Sequence, residues 1–322
     1  MKLSLSILIP TYNRAEILRE SLEAMCKVER NNLSAEFVVI DNNSTDNTRK
    51  VVESFTDKLP LRYLFESAQG KSHALNRVLN EGGLGEIVVL TDDDTTPRSD
   101  WLSAIAQSVR DFPDHVLFGG RTFGMWPGGK HPGWWDNRPG ASHWCLGNHD
   151  YGDKPREYPS NLGPFGPNMW IRREALTKEH RFDVTIGPLG DRMIMGEEWP
   201  FIQGFRAEGH NPLYYPDAVV GQRIQPERIS RSGIRKRAYA AGLGGPHMNG
   251  PCRRELFDRH PAAWLALRLA ALGWAALRLV CSQMSLSDDL RIRRSLSPIC
   301  DIAYNLEAVS LYFGGRYIPQ KK

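Results

Sequence analysis

Short apolar runs alternate with helix-period stretches through the first 120 residues. Ser4-Leu5-Ser6-Ile7-Leu8-Ile9 stops at Pro10, Phe37-Val38-Val39-Ile40 stops at Asp41, and further runs cover Leu61 to Phe65, Glu86 to Leu90 and Val116 to Phe118. Between them, the stretches Glu16 to Cys26, Asp46 to Phe55, His73 to Leu79 and Trp101 to Val109 carry the spacing of helices. This alternation predicts βαβ units: an α/β fold with a mostly parallel sheet and helices on both faces. In such sheets ligands bind beyond the carboxyl ends of the strands. The polar clusters fall there: Pro10-Thr11-Tyr12-Asn13, Asp41 to Asp46, and Thr91-Asp92-Asp93-Asp94.

From Gly119 to Asn168 the pattern gives way to Gly, Pro, Trp and His, and six of the nine tryptophans lie between residues 126 and 199. A stretch this long without elements of its own reads as a functional insertion or lid. Helical spacing resumes from Trp199 to Ala207, short strands are expected at Pro212 to Tyr215 and Ala218 to Val220, and the chain after about Pro226 reads helical. The expected organisation is one α/β domain over 1–225, divisible near residue 118, and a helical region over 226–322.

The formal net charge of +4 hides an asymmetry. Residues 223–322 hold 17 basic and 7 acidic side chains, whereas residues 1–222 hold 24 and 30. A basic end on an acidic body points to an anionic surface as partner. The stretch from Pro261 to Met284 decides which kind: Leu265, Leu269, Leu272, Ala276, Leu279 and Val280 share one helical face, with Trp264, Trp274, Arg268 and Arg278 on the other. Flanked by Arg253, Arg254 and Arg259 and by Arg291, Arg293 and Arg294, this helix suits an anionic membrane interface. The alternative is an amphipathic helix packed on protein. Nucleic acid is set aside, because the cations are not interleaved with aromatics and no nucleic-acid motif is present. No run of about 18 uncharged apolar residues occurs, so neither a signal peptide nor a spanning helix is expected. Five scattered cysteines without a CxxC pair imply a reducing, cytoplasmic setting, with the protein peripheral on the inner face of the membrane.

Two clusters carry chemistry. Asp92, Asp93 and Asp94 directly follow Ile87-Val88-Val89-Leu90, and three adjacent carboxylates repel one another unless a cation or donors neutralise them. Their hard oxygens suit magnesium or manganese, the alternative being a solvated turn capping the next helix. Asp41, leaving a buried strand, could accept hydrogen bonds from a base or ribose, or else belong to a capped strand-to-helix turn.

In their order and spacing, ILIPTYNR, VVIDNNSTDNT and the aspartate triplet resemble the family 2 glycosyltransferases of the GT-A fold, over about Ser4 to Arg231. The resemblance makes 1–225 a GT-A catalytic domain, with 1–118 binding nucleotide and 119–225 binding acceptor. It implies that Pro10, Tyr12 and Arg14 line a base pocket and that Asp41 binds base or ribose. Lys71, in Gly70-Lys71-Ser72-His73-Ala74-Leu75-Asn76, would reach a phosphate, and Asn76 the sugar-nucleotide region. Asp92 would face ribose or metal-bound water, Asp94 a divalent cation, and Asp93 the donor sugar. Gly166-Pro167-Asn168 looks like the segment bordering donor sugar and acceptor. Glu198, in Gly196-Glu197-Glu198-Trp199, stands where the family carries its general base. Gln222 stands where the family often has a metal-binding histidine, leaving Gln222, water or His247 as the third ligand.

The implied activity moves a sugar from a nucleotide-diphosphate donor (UDP-, GDP- or dTDP-linked) to a glycan or lipid-linked glycan, with inversion, as in surface polysaccharide assembly. Trp126, Trp134, Trp135 and Trp144 are candidates to stack on acceptor sugars, or to fill a core beneath the loop. Two rivals are a non-catalytic nucleotide- or carbohydrate-binding module of the same fold and a nucleotidyltransferase. The second is ranked last because a glycine-rich basic loop does not follow the first strand.

Overall fold

A computed structural model of the protein describes residues 2–135, 146–189, 192–249, 261–284 and 287–313. The described chain divides into two compact units.

The first unit holds residues 1–125, 147–192 and 197–223. Its sheet contains β1 (Leu3–Thr11), β2 (Leu33–Asp41), β3 (Leu61–Phe65), β4 (Ile87–Leu90), β5 (Thr95–Pro97), β6 (Leu117–Met125), β7 (Arg156–Glu157), β8 (Met169–Arg172) and β9 (Leu213–Arg223). The order is β3-β2-β1-β4-β8-β6-β9-β5, with β7 also paired to β9, at Leu213 and Tyr214. The first four strands of that order are parallel, β8 runs antiparallel between β4 and β6, and β5 runs antiparallel to β9.

Side-chain alternation sorts the core into two layers. Ile7, Ile9, Phe37, Val39, Val89 and Trp170 face one layer with helices α1 (Ala15–Met25), α2 (Thr48–Glu53) and α4 (Trp101–Asp111). Leu8, Val38, Ile40, Val88, Leu90, Met169 and Ile171 face the other, with α3 (Lys71–Glu81) and α5 (Glu198–Ala207). Burial on both faces explains why these strands read as unbroken apolar runs.

The sheet departs from the sequence reading in three places. β6 runs on through Gly119 and Gly120 to Met125, because both glycines sit where a side chain would collide, with Tyr158 and Pro164 or with Asn168 and the Ala218 carbonyl. The two strands expected after Pro212 form one, with a register shift between Tyr215 and Val219. β5, β7 and β8 are two to four residues long, too short for periodicity to reveal.

The second unit holds residues 126–146, 193–196 and 224–322. It contains α6 (Pro226–Ile229), α7 (Arg231–Asn249), α8 (Pro261–Gln283) and α9 (Asp288–Phe313). Trp126, Trp134 and Trp135 pack with Ile224, Ile234, Ala238, Ile292 and Leu296 in its core. Trp134 is buried in this core and Trp126 and Trp135 pack against it, half-buried. Trp144, Cys145, Cys252, Arg253, Arg254 and Arg259 lie outside the described residues.

In α8 the arginine-bearing stripe turns inward. Trp264 is buried, Arg268 donates to Asn305 Oδ1 (3.1 Å) and Arg278 to Asp301 Oδ2 (2.9 Å) on α9. Every exposed position from 262 to 284 is uncharged, and Trp274 and Val280 are each 63% exposed. The sequence reading had placed the cations and Trp274 together as the polar face. Over Ala262–Gln283 the helix is also long and apolar enough to cross a membrane by length and composition, because only two charges interrupt it.

Candidate active site

The loops beyond the ends of β1, β2 and β3 are tied to one another by side chains. Asn13 accepts the Thr45 amide (2.7 Å) while its own amide donates to Ser44 Oγ (2.9 Å). Asn42 donates to the Ala68 carbonyl and accepts from the Gly70 amide, both at 2.6 Å. Gly70 has φ 130°, a conformation a side chain would strain, and it starts α3 so that Lys71 is the first helical residue.

Lys71 is the hub. Its ammonium meets Asp92 Oδ1 at 2.9 Å, Glu197 Oε1 at 3.1 Å and Glu198 Oε1 at 3.5 Å. Burial opposes its charge, but the three carboxylates outweigh that and hold its pKa well above the usual lysine value. Glu198 opens α5 and packs over Gly166, where a side chain would collide with its carboxylate. Pro10, Leu75, Leu90 and Thr91 lie around Glu198, Lys71 and Gly166. Burial there, and then the charge of Glu197, push the Glu198 carboxyl up to about 7 despite Lys71.

Asp92 and Asp94 converge. Gln222 lies on β9 opposite Thr95 of β5, and this pairing carries its amide to the triplet. The amide nitrogen is 3.1 Å from Asp94 Oδ1 and 3.5 Å from Asp92 Oδ2, so one neutral donor bridges two carboxylates. Two hard oxygens converging on one point fit a magnesium- or manganese-sized ion, and the Gln222 amide can present its oxygen by rotation. Among the described residues no three His, Cys, Asp or Glu side chains form a metal cage. An ion would therefore be held by Asp92, Asp94 and Gln222 and share substrate oxygens. His247, in the second unit, is 2.9 Å from Glu307 Oε1.

Other residues lie differently from the sequence reading. Asp93 points under the strands, accepting from Thr11 Oγ1 (2.7 Å) and pairing with Arg14, and burial pushes its carboxyl up to about 6. It is not presented to a sugar. Arg14 binds Asp93 and Asp94 (2.9 Å to Asp94 Oδ2), so its guanidinium is committed to the triplet and not to a base pocket. Asn76 is bonded both ways to the Phe182 backbone (2.8 and 2.9 Å), which makes it a brace for that segment. Asn168 is fully buried and pinned by Trp101 and by the carbonyls of Arg121 and Ala218. Asp41 is buried, with its carboxylate held by Tyr63 Oη (2.7 Å) and the Ser44 amide (2.9 Å), while Pro10 is buried and Tyr12 is 42% exposed. Glu197, Tyr63 and Asn42 are additions. Asn42 and Glu197 lie inside the quoted motifs, whereas Tyr63, in the Leu61 to Phe65 run, carried no signal.

A sequence profile described as "Glycosyl transferase family 2" matches residues 6–179, more than half of the chain. The chain belongs to glycosyl transferase family 2. This glycosyltransferase is 24% identical over 245 residues to the succinoglycan biosynthesis protein ExoM of Rhizobium meliloti, covering 74% of this chain and 73% of the other. It is 23% identical over 246 residues to the glucosyl-dolichyl phosphate glucuronosyltransferase of Haloferax volcanii, covering 75% of each. Among solved structures it resembles the mannosyltransferase PcManGT from Pyrobaculum calidifontis in complex with GDP-Man and Mn2+ (TM-score 0.56, 20% identity), over 95% of this chain and 86% of that one. It also resembles Staphylococcus aureus TarS 1–349 in complex with UDP-GlcNAc (TM-score 0.54, 16% identity), over 98% and 93%. The fold of this glycosyltransferase is thus GT-A, and the binding-module and nucleotidyltransferase rivals fall away.

Proposed function

We propose that this enzyme transfers a sugar from a nucleotide-diphosphate donor to a hydroxyl of a glycan or lipid-linked glycan, with inversion, and that Glu198 is the general base. The convergence of Asp92 and Asp94 on Gln222, with Lys71 joining Asp92 to Glu198, is the observation that carries this reading.

Asp92, Asp94 and Gln222 would hold a divalent cation, which when bound would supply charge neutralisation to the departing diphosphate. Lys71 gives the diphosphate a second positive charge, and Asp41 fixes the base or ribose beside Tyr63. Attack forms the bond from the acceptor oxygen to the anomeric carbon. The bond to the phosphate oxygen breaks, its electron pair leaves with the nucleoside diphosphate, and the hydroxyl proton passes to Glu198. A carboxylate whose pKa lies near neutrality is ionised enough to accept that proton and basic enough to hold it. The names of the relatives, one a dolichyl phosphate enzyme and one of succinoglycan biosynthesis, support a lipid-linked or polysaccharide acceptor. The uncharged outer arc of α8 supports peripheral attachment to a membrane carrying such an acceptor.

The test is thermal shift and slow donor hydrolysis with UDP-, GDP- and dTDP-sugars and manganese or magnesium. The expected result is metal-dependent stabilisation by one nucleotide class that disappears in Asp94→Ala. Stabilisation by none of the donors would overturn the reading.

A further inference from the structure

Lys71 has three ammonium hydrogens, and three carboxylates surround them. Two of these, Glu197 and Glu198, come from the start of α5, and the third, Asp92, comes from the loop after β4. The ammonium is already enclosed by three carboxylates, so an anion arriving at Asp92 and Lys71 competes with them for its charge. The longest of the three contacts, 3.5 Å, is the one to Glu198. Lys71 cannot retreat with all three partners, because Gly70 and the Asn42 bond to the Gly70 amide hold its backbone.

We propose that Lys71 is a positioning residue that couples donor arrival to release of the base: without donor it holds Glu198 in an ion pair, and the donor's diphosphate takes the ammonium over and frees that carboxylate. Glu198 then faces the acceptor with no cation on it, beside Glu197. The base stays restrained in a site that holds acceptor alone. This deepens, and rests on, the assignment of Lys71 to the diphosphate and of Glu198 to the proton.

A binding cycle with whichever of UDP, GDP and dTDP binds tightest in the presence of manganese tests the coupling without acceptor or turnover. Calorimetric affinities are compared for wild type, Glu198→Gln, Lys71→Met and the double variant. Lys71→Gln serves as a second neutral replacement, and thermal unfolding establishes that each variant is folded. Removing the competing charge at Glu198 is expected to tighten binding about tenfold in the Lys71 background, within the usual range of coupling between sites. Without Lys71 the same change is expected to do nothing, and Lys71→Arg restores the dependence. Equal tightening in both backgrounds would reduce the effect to plain repulsion of an anion by Glu198 and overturn the proposal, as would no tightening in either. A wild type that binds none of the three nucleotides also overturns it. Failure of the base assignment shows separately, as undiminished donor hydrolysis in Glu198→Gln.

Discussion

At the scale of single residues, the site is an excess of negative charge. Asp92, Asp93, Asp94, Glu197 and Glu198 gather around Lys71 and Arg14, five carboxylates in ion pairs with two cations. Glu198 carries the clearest consequence. At subsaturating donor, which reports the free enzyme, hydrolysis should rise as pH climbs through about 7, where its carboxyl ionises, and Glu198→Gln should erase that limb and lower the rate by about 10²–10⁴. The stability effect has the opposite sense. Its folded-state pKa lies above the ordinary 4.5, so its burial costs stability progressively as pH rises between those values. Glu198→Gln should therefore melt higher than wild type at pH 8, which calorimetry measures. Asp93 and Asp94 stand side by side in the turn after β4 and share Arg14, yet the Asp93 carboxylate accepts from Thr11 and the Asp94 carboxylate from Gln222.

At the scale of elements, α3 shows how much of the site was legible. The family resemblance marked its lysine as a site residue, and the structure places that lysine among Asp92, Glu197 and Glu198. Asn76 was not readable, since helical spacing does not say which neighbour a side chain will meet. It braces the Phe182 backbone, and Asn76→Ala should cost about 1–3 kcal/mol by leaving a peptide N–H and C=O unpaired. Chemical denaturation would register that loss, while nucleotide affinity should change little. Gly166 makes the complementary case. A methyl there would strike the Glu198 carboxylate, so Gly166→Ala should impair turnover far more than stability, as activity and melting measured together would show. The register of β9 against β5 is likewise an element-scale fact. It places Gln222 at the aspartates across 128 residues of chain.

At the scale of the whole molecule, charge and apolar surface bear on location. The basic region after residue 222 and the uncharged outer arc of α8 belong to the same stretch of chain. Leu269→Glu with Val280→Glu, both on exposed positions of α8, should abolish sedimentation with anionic vesicles and leave the melting temperature nearly unchanged. Retained sedimentation would remove α8 from the attachment surface. The sequence by itself determined the strand and helix alternation, the family and the acidic strand ends, because local periodicity and ordered motifs survive without coordinates. Only tertiary structure decided that Arg268 and Arg278 turn inward, that Trp126, Trp134 and Trp135 pack in a core, and that Lys71 joins Asp92 to Glu198. Each of these depends on which face of an element meets a distant neighbour, and the energy that chooses the face comes from packing and charge partners far along the chain.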